Sequence, residues 1–139
     1  MNRDKSEIIA IVRGDLLRLP DKERRKLLND VTNPKDFVRN ESLVVMLKKV
    51  FKASDPVVQC VDSLRMLLRM SAGEKVDEVQ RADLFEEFNV EDAWRNASNG
   101  ESRSRILGKM TQDCSQKLAG SREYVLFKDI VMQEVGALK

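Results

Sequence analysis

From Ser121 to Lys139 the apolar residues Tyr124, Phe127, Val131, Val135 and Leu138 return at every third or fourth position. An α-helix, with a period of about 3.6 residues, gathers such positions on one face, whereas a strand gathers every second residue. The stretch "YVLF" is the one run that resembles a strand, and it is embedded in this helical rhythm. The pattern extends through the chain. Ile8, Ile9, Val12, Leu16 and Leu19 step through the segment Ser6–Arg18, and Leu27, Leu28 and Val31 follow Pro20. Pro20 stops the first helix and suits the first turn of the second. A short turn, "PKDFV", leads to Asn40, a cap for "ESLVVMLKKVFKAS".

Asp55-Pro56 is the clearest start signal: an N-cap residue followed by proline at the first helical position. It opens "VVQCVDSLRMLLRM", which closes before Ala72-Gly73. Val76, Val79, Leu84, Phe85 and Phe88 then predict a helix, with a break near Asn89. "ASNGES" is the most loop-like segment, so a flexible linker is expected near 96–102. "RSRILGKMTQDCSQKL" follows, and Ser121 caps the final helix beyond Ala119-Gly120. Six glycines and three prolines in 139 residues leave few interruptions. The expectation is one all-α domain over residues 1–139, a compact bundle of about seven to nine short helices.

No apolar run approaches the length a membrane helix needs, about 20 residues, so no membrane segment is expected. The N-terminal "MNRDKSEIIAIVRGD" meets charge again quickly and lacks a small-residue cleavage site, so no secretory signal is read and a cytoplasmic location is expected. Cys60 and Cys114 lie in apolar helical patterns and read as buried, reduced thiols. A disulfide between them requires the fold to bring their helices together, and a cytosolic setting disfavours it.

The chain contains no histidine. It therefore lacks the usual general base near neutral pH, the imidazole of a Ser-His or Cys-His pair, and the commonest metal ligand. Two distant cysteines cannot make a structural zinc site alone, and the Glu-x-x-His pairs of di-iron bundles are absent. No glycine-rich phosphate loop is present. No metal and no cofactor is expected, and the chain reads as non-enzymatic. Glu86-Glu87 and Glu91-Asp92 are neighbouring acids that point about 100° apart on a helix, so they do not converge on a substrate. A carboxylate enzyme is the third reading only.

Charge divides the chain unevenly. Residues 1–50 hold 12 bases and 8 acids, 51–100 hold 6 and 10, and 101–139 hold 7 and 5, giving +4, −4 and +2. A basic first third and an acidic middle suit packing within the chain, head-to-tail contact with another copy, or steering towards a charged protein. Glu86, Glu87 and Glu91 are the acidic candidates for partner binding.

The densest basic run is Lys22 to Lys26. Leu27, Leu28 and Val31 define its buried side, leaving Lys22, Arg25 and Lys26 outward. Helical spacing sets Asp21 against Arg25, Glu23 against Lys26 and Lys26 against Asp30, and such pairs cancel much of the local field. A second basic group, Arg103, Arg105 and Lys109, precedes a helix–short turn–helix outline. These six residues are the candidate nucleic-acid contacts of the second-choice reading.

Two helices are apolar on more than one side. After Pro56, residues Val57, Cys60, Val61, Leu64, Leu67 and Leu68 fill one face, while Val58, Met66 and Met70 fall away from it. In the last helix Val125 and Met132 leave the main face. Helices of this kind are buried or pair with something, and methionine adapts to irregular partner surfaces. Val58, Met66, Met70, Val125 and Met132 are the apolar candidates for partner binding. The leading expectation is a cytosolic regulatory or adaptor protein working through helix-mediated protein contacts, a homodimer by self-association. A nucleic-acid-binding regulator is the alternative.

Overall fold

The computed structural model describes residues 4–138, and among these the chain is all-helical. The elements are α1 (Lys5–Leu17), α2 (Asp21–Asp30), α3 (Pro34–Arg39), α4 (Glu41–Val50), α5 (Pro56–Ser71), α6 (Glu78–Phe88), α7 (Glu91–Asn96), α8 (Gly100–Ala119) and α9 (Arg122–Ala137). Lys139, assigned by its sequence to the last helix, lies outside the described residues, as do residues 1–3 of the N-terminal segment.

Local chemistry sets most of the starts. Side-chain oxygens of Asp4, Asn33, Asn40, Asp77, Asn99 and Ser121 each accept from a backbone N–H in the first turn that follows. Such caps satisfy amides that a helix start otherwise leaves without partners. The "PKDFV" segment is a helix rather than a turn. Asn33 accepts from Lys35 N at 3.0 Å and Pro34 opens the first turn. The expected linker near 96–102 is shorter than its composition implied. Asn99 accepts from Ser102 N at 2.8 Å, so α8 begins at Gly100 and only residues 97–99 connect it to α7. In the acidic middle, the Asp77 cap delays α6 until Glu78, which leaves Val79 70% exposed instead of in the core.

Two long helix pairs organise the packing. α5 lies against α8, and α1 lies against α9, while α2, α3 and α4 fill the space between and around them. Phe37, from the short α3, sits at the centre. Its ring meets Tyr124 at 5.2 Å and Phe127 at 5.9 Å, both edge to face, the arrangement that aromatic quadrupoles favour. The Tyr124 hydroxyl donates to the Val31 carbonyl, tying α9 to the end of α2. Arg13 on α1 donates to the buried Glu134 carboxylate on α9 at 2.7 Å. At the α5–α8 crossing, Cys60 and Cys114 are free thiols with their sulfurs 3.8 Å apart.

Val58 corrects one expectation. It is 3% exposed and belongs to the core, so it offers nothing to a partner. α5 is covered by α3, α4 and α8, and a residue off its main face still meets a neighbour. Met66 and Met70 are half-buried against the same core.

Candidate functional site

α6 does not close onto α5. On α5, Gln59, Asp62, Ser63, Met66 and Arg69 form a stripe at spacings of three and four. On α6, Gln80, Asp83, Leu84 and Glu87 form a second such stripe. The two stripes line one cleft with a volume of about 780 Å³, and Lys48 of α4 and Arg65 stand at its rim. The cleft stays open because both facing stripes are polar apart from Met66 and Leu84. Two helices close by burying apolar area, and here the apolar side of α5 is already spent on α8 and α3.

The walls differ in charge balance. On the α5 side the bases are answered: Lys48 pairs with Asp62 at 2.8 Å, Arg65 with Glu41 at 2.8 Å, and Arg69 approaches Glu74 at 3.9 Å. On the α6 side, Asp83 has no ion-pair partner among the described residues. Glu87 reaches Lys117 of α8 only at 3.7 Å, and Glu86 stands exposed beside it. The cleft therefore has an under-neutralised acidic wall.

That wall is anchored by a stack of rings and cations. Phe85, fully buried, meets Trp94 of α7 edge to face at 5.0 Å. Arg81 lies 5.0 Å over the Phe85 ring, and Arg103 of α8 lies 4.7 Å over the Trp94 ring. A guanidinium over an aromatic face is attracted by the ring's quadrupole. Leu84 and Phe85 are the two buried residues of α6, so this stack fixes where the acidic wall stands.

No protein-family model, no curated protein and no solved structure matches this chain. The site is therefore judged on its own geometry.

The structure brings Met66 and Glu87 together in the cleft and disperses the other candidates. Glu86 and Glu91 line a shallow depression on the α6–α7 corner, where Glu91 pairs with Arg95 at 3.5 Å. Val125 and Met132 are 37% and 41% exposed on α9, a helix packed on α1 and α2, and they do not line the cleft.

The basic groups are also rearranged. Asp21 pairs with Arg25 at 3.3 Å as its spacing predicts. The two pairs predicted for Lys26 do not form, because Asp30 instead accepts from the Asn40 amide at 2.8 Å and Glu23 stays exposed. Arg24 turns inward to donate to the carbonyls of Leu16 and Leu19 at the end of α1. Of the bases in that run, Lys22 and Lys26 remain exposed without an ion pair among the described residues. In the second group Arg105 pairs with Glu101 at 2.8 Å, Arg103 stacks on Trp94, and Lys109 stays exposed.

Sequence reasoning missed Lys48, Arg65, Arg69, Asp83 and Leu84 as cleft residues. The i, i+3, i+4, i+7 spacing of Gln80, Asp83, Leu84 and Glu87 was the available signal. It also missed Val45, exposed on α4 beside a smaller groove of about 260 Å³. Among the described residues, no helix is long and apolar enough to cross a membrane.

Proposed function

We propose that the chain is a non-catalytic cytosolic adaptor or regulatory module whose α5–α6 cleft receives an amphipathic helical segment of a protein partner. One observation carries this reading: two stripes with helical spacing face each other across a gap without closing it. A third helix is the natural occupant of such a gap, because its residues at spacings of three and four interleave with both stripes. Met66, half-buried on α5, offers it a small apolar anchor point. Asp83 and Glu87 favour lysine or arginine on its flank, since opposite charges across an interface set register and exclude acidic competitors.

The test is selection from a displayed library of helical peptides. Binders are expected to share an apolar residue flanked by bases at spacings of three or four, and to lose affinity at least tenfold against Met66→Glu and against Asp83→Lys. Binders that tolerate both changes would place the occupied surface elsewhere and sink the proposal. Self-association through Val125 and Met132 of α9 is part of the same reading, as a weak contact suited to a regulatory protein. The nucleic-acid alternative retains Lys22, Lys26 and Lys109 as exposed cations without ion pairs, a sparse set for tracking a phosphate backbone.

A further inference from the structure

Cys60 and Cys114 are 54 positions apart in the chain, yet their sulfurs lie 3.8 Å from each other, in van der Waals contact. Each thiol also lies against the other's backbone: Cys60 Sγ is 3.5 Å from the Cys114 carbonyl oxygen, and Cys114 Sγ is 3.6 Å from that of Cys60. This reciprocity marks a close crossing of α5 and α8 in which neither side chain has another polar partner. The two residues are not equally buried. Cys60 is 7% exposed and Cys114 2%, and the Lys117–Glu87 bridge joins α8 to α6 close by.

We propose that Cys60 and Cys114 are a reversible oxidation site, at which hydrogen peroxide converts the free dithiol into a disulfide that staples α5 to α8. Peroxide is the oxidant whose size suits a sulfur with so little exposure. The Cys60 thiolate attacks one peroxide oxygen, the O–O bond breaks, and the departing hydroxide takes a proton to become water. Sulfur is thereby oxidised to the sulfenic acid. The Cys114 sulfur then attacks Cys60 Sγ, the S–O bond breaks, and hydroxide leaves with the Cys114 proton as a second water. In sum, two thiols and one peroxide give one disulfide and two waters, and an external dithiol reverses the change by becoming a disulfide itself.

The order of attack follows from the surroundings. Donation from the Cys114 thiol holds Cys60 below its ordinary value, with burial opposing and the Lys117 ammonium assisting. Acting as that donor, and then burial, push Cys114 well above its ordinary value. Cys60 is thus the better nucleophile as well as the less deeply buried of the two residues. The staple closes the loop that contains all of α6 and α7, so oxidation fixes the crossing from which both elements depart. This inference is independent of whether a peptide occupies the cleft.

The experiment treats dilute folded protein with hydrogen peroxide, blocks remaining thiols, and digests it with trypsin without reductant. The expected product joins the peptide Ala53–Arg65 to the peptide Met110–Lys117, is lighter than their sum by two hydrogens, and disappears on reduction. Cys114→Ser is expected to stop at the sulfenic acid, captured on Cys60 by a cyclic 1,3-dione, whereas Cys60→Ser yields no capture on Cys114. Methionine oxidation with both thiols still free would overturn the proposal, as would capture on Cys114 rather than Cys60. Both serine variants are read only after circular dichroism shows native helical content.

Discussion

Trp94→Ala separates the anchoring of α6 from the stability of the rest of the bundle. The substitution removes the edge-to-face pair with Phe85 and the ring under Arg103. An aromatic pair contributes about 0.5–1.5 kcal/mol beyond its buried area, and a partly exposed cation–π contact about 0.5–1 kcal/mol. Loss of the half-buried indole surface brings the total to about 2–3 kcal/mol, below the ~3–5 kcal/mol of a fully buried Trp→Ala change. The backbone of α6 meets α7 more extensively than α5 or α8, so this loss is expected to act locally. The opening equilibrium of residues 78–88 rises by a factor of about 30–150, at about 1.4 kcal/mol per tenfold. Amide exchange followed by mass spectrometry reads this directly, because the α1–α9 pair serves as an internal reference. Trp94→Phe keeps a ring in both contacts and is expected to recover most of the protection. Equal acceleration in α6 and in α1–α9 would show that the rings hold the whole fold, and an unchanged α6 would show that they hold nothing.

Burial raises the Tyr124 phenol from 10.0 to about 12, so the folded state resists its ionisation. Its contribution is complete below about pH 10 and is lost as pH climbs through about 12. It amounts to about 2–3 kcal/mol at the top of that window, and urea midpoints for Tyr124→Phe are expected to lack this part of the decline. At neutral pH the same variant loses about 1–3 kcal/mol, because the buried Val31 carbonyl is left without its donor; a neutral result would mean that water takes the donor's place. Duplex DNA is expected to bind weakly and only at low salt, with little change when Lys22, Arg25 and Lys26 become glutamine. Submicromolar binding at physiological salt, abolished by that triple change, would promote the nucleic-acid reading instead. Light scattering is expected to show a mass that climbs from 15.9 kDa towards twice that value with concentration, and Val125→Lys with Met132→Lys to suppress the climb. A wild-type mass that stays flat removes α9 as an interface. Reversal of Glu86, Glu87 and Glu91 to lysine is expected to preserve helical content while slowing association of a basic cleft-binding peptide at low salt, and an unchanged on-rate would reduce these acids to a solvated face.

The helices were legible where a cap and an apolar period coincide. Ser121 caps α9 as its sequence predicts, and Pro56 opens the first turn of α5 as expected, although the Asp55 side chain makes no capping hydrogen bond. α3 was harder to see because its six residues, Pro34–Arg39, span fewer than two turns and show no period. Its signal is the Asn33-Pro34 pair alone. Val58 was misplaced because a helical pattern gives the angle of a side chain but not the number of neighbours around the helix. The Lys26 pairs failed for a related reason: the spacing allows Asp30, but the Asn40 amide from the next element occupies it. Met66 and Glu87, singled out as partner-binding candidates, both line the cleft, whereas the cleft itself was not visible. It depends on how far α6 stands from α5, which is set by Phe85 of α6 and Trp94 of the next helix, α7.

The distribution of charge acquires a physical meaning from this arrangement. The basic first third and the acidic middle suit mutual neutralisation, but little of it occurs. Lys48–Asp62 is the one ion pair among the described residues that sets a base of residues 1–50 against an acid of residues 51–100. The Arg65–Glu41 pair runs the other way, with its acid in the first third. On α6, Arg81 is drawn to Glu78 at 2.8 Å and to the Phe85 ring, leaving Asp83 and Glu86 unanswered. Acids gathered on one helix and not compensated across the fold project a field into solvent over about 8 Å at physiological ionic strength. That field emerges beside the cleft, and under the proposed function it would draw a basic segment to the opening before any contact. Met66, half-buried in the cleft wall, would then decide whether it stays.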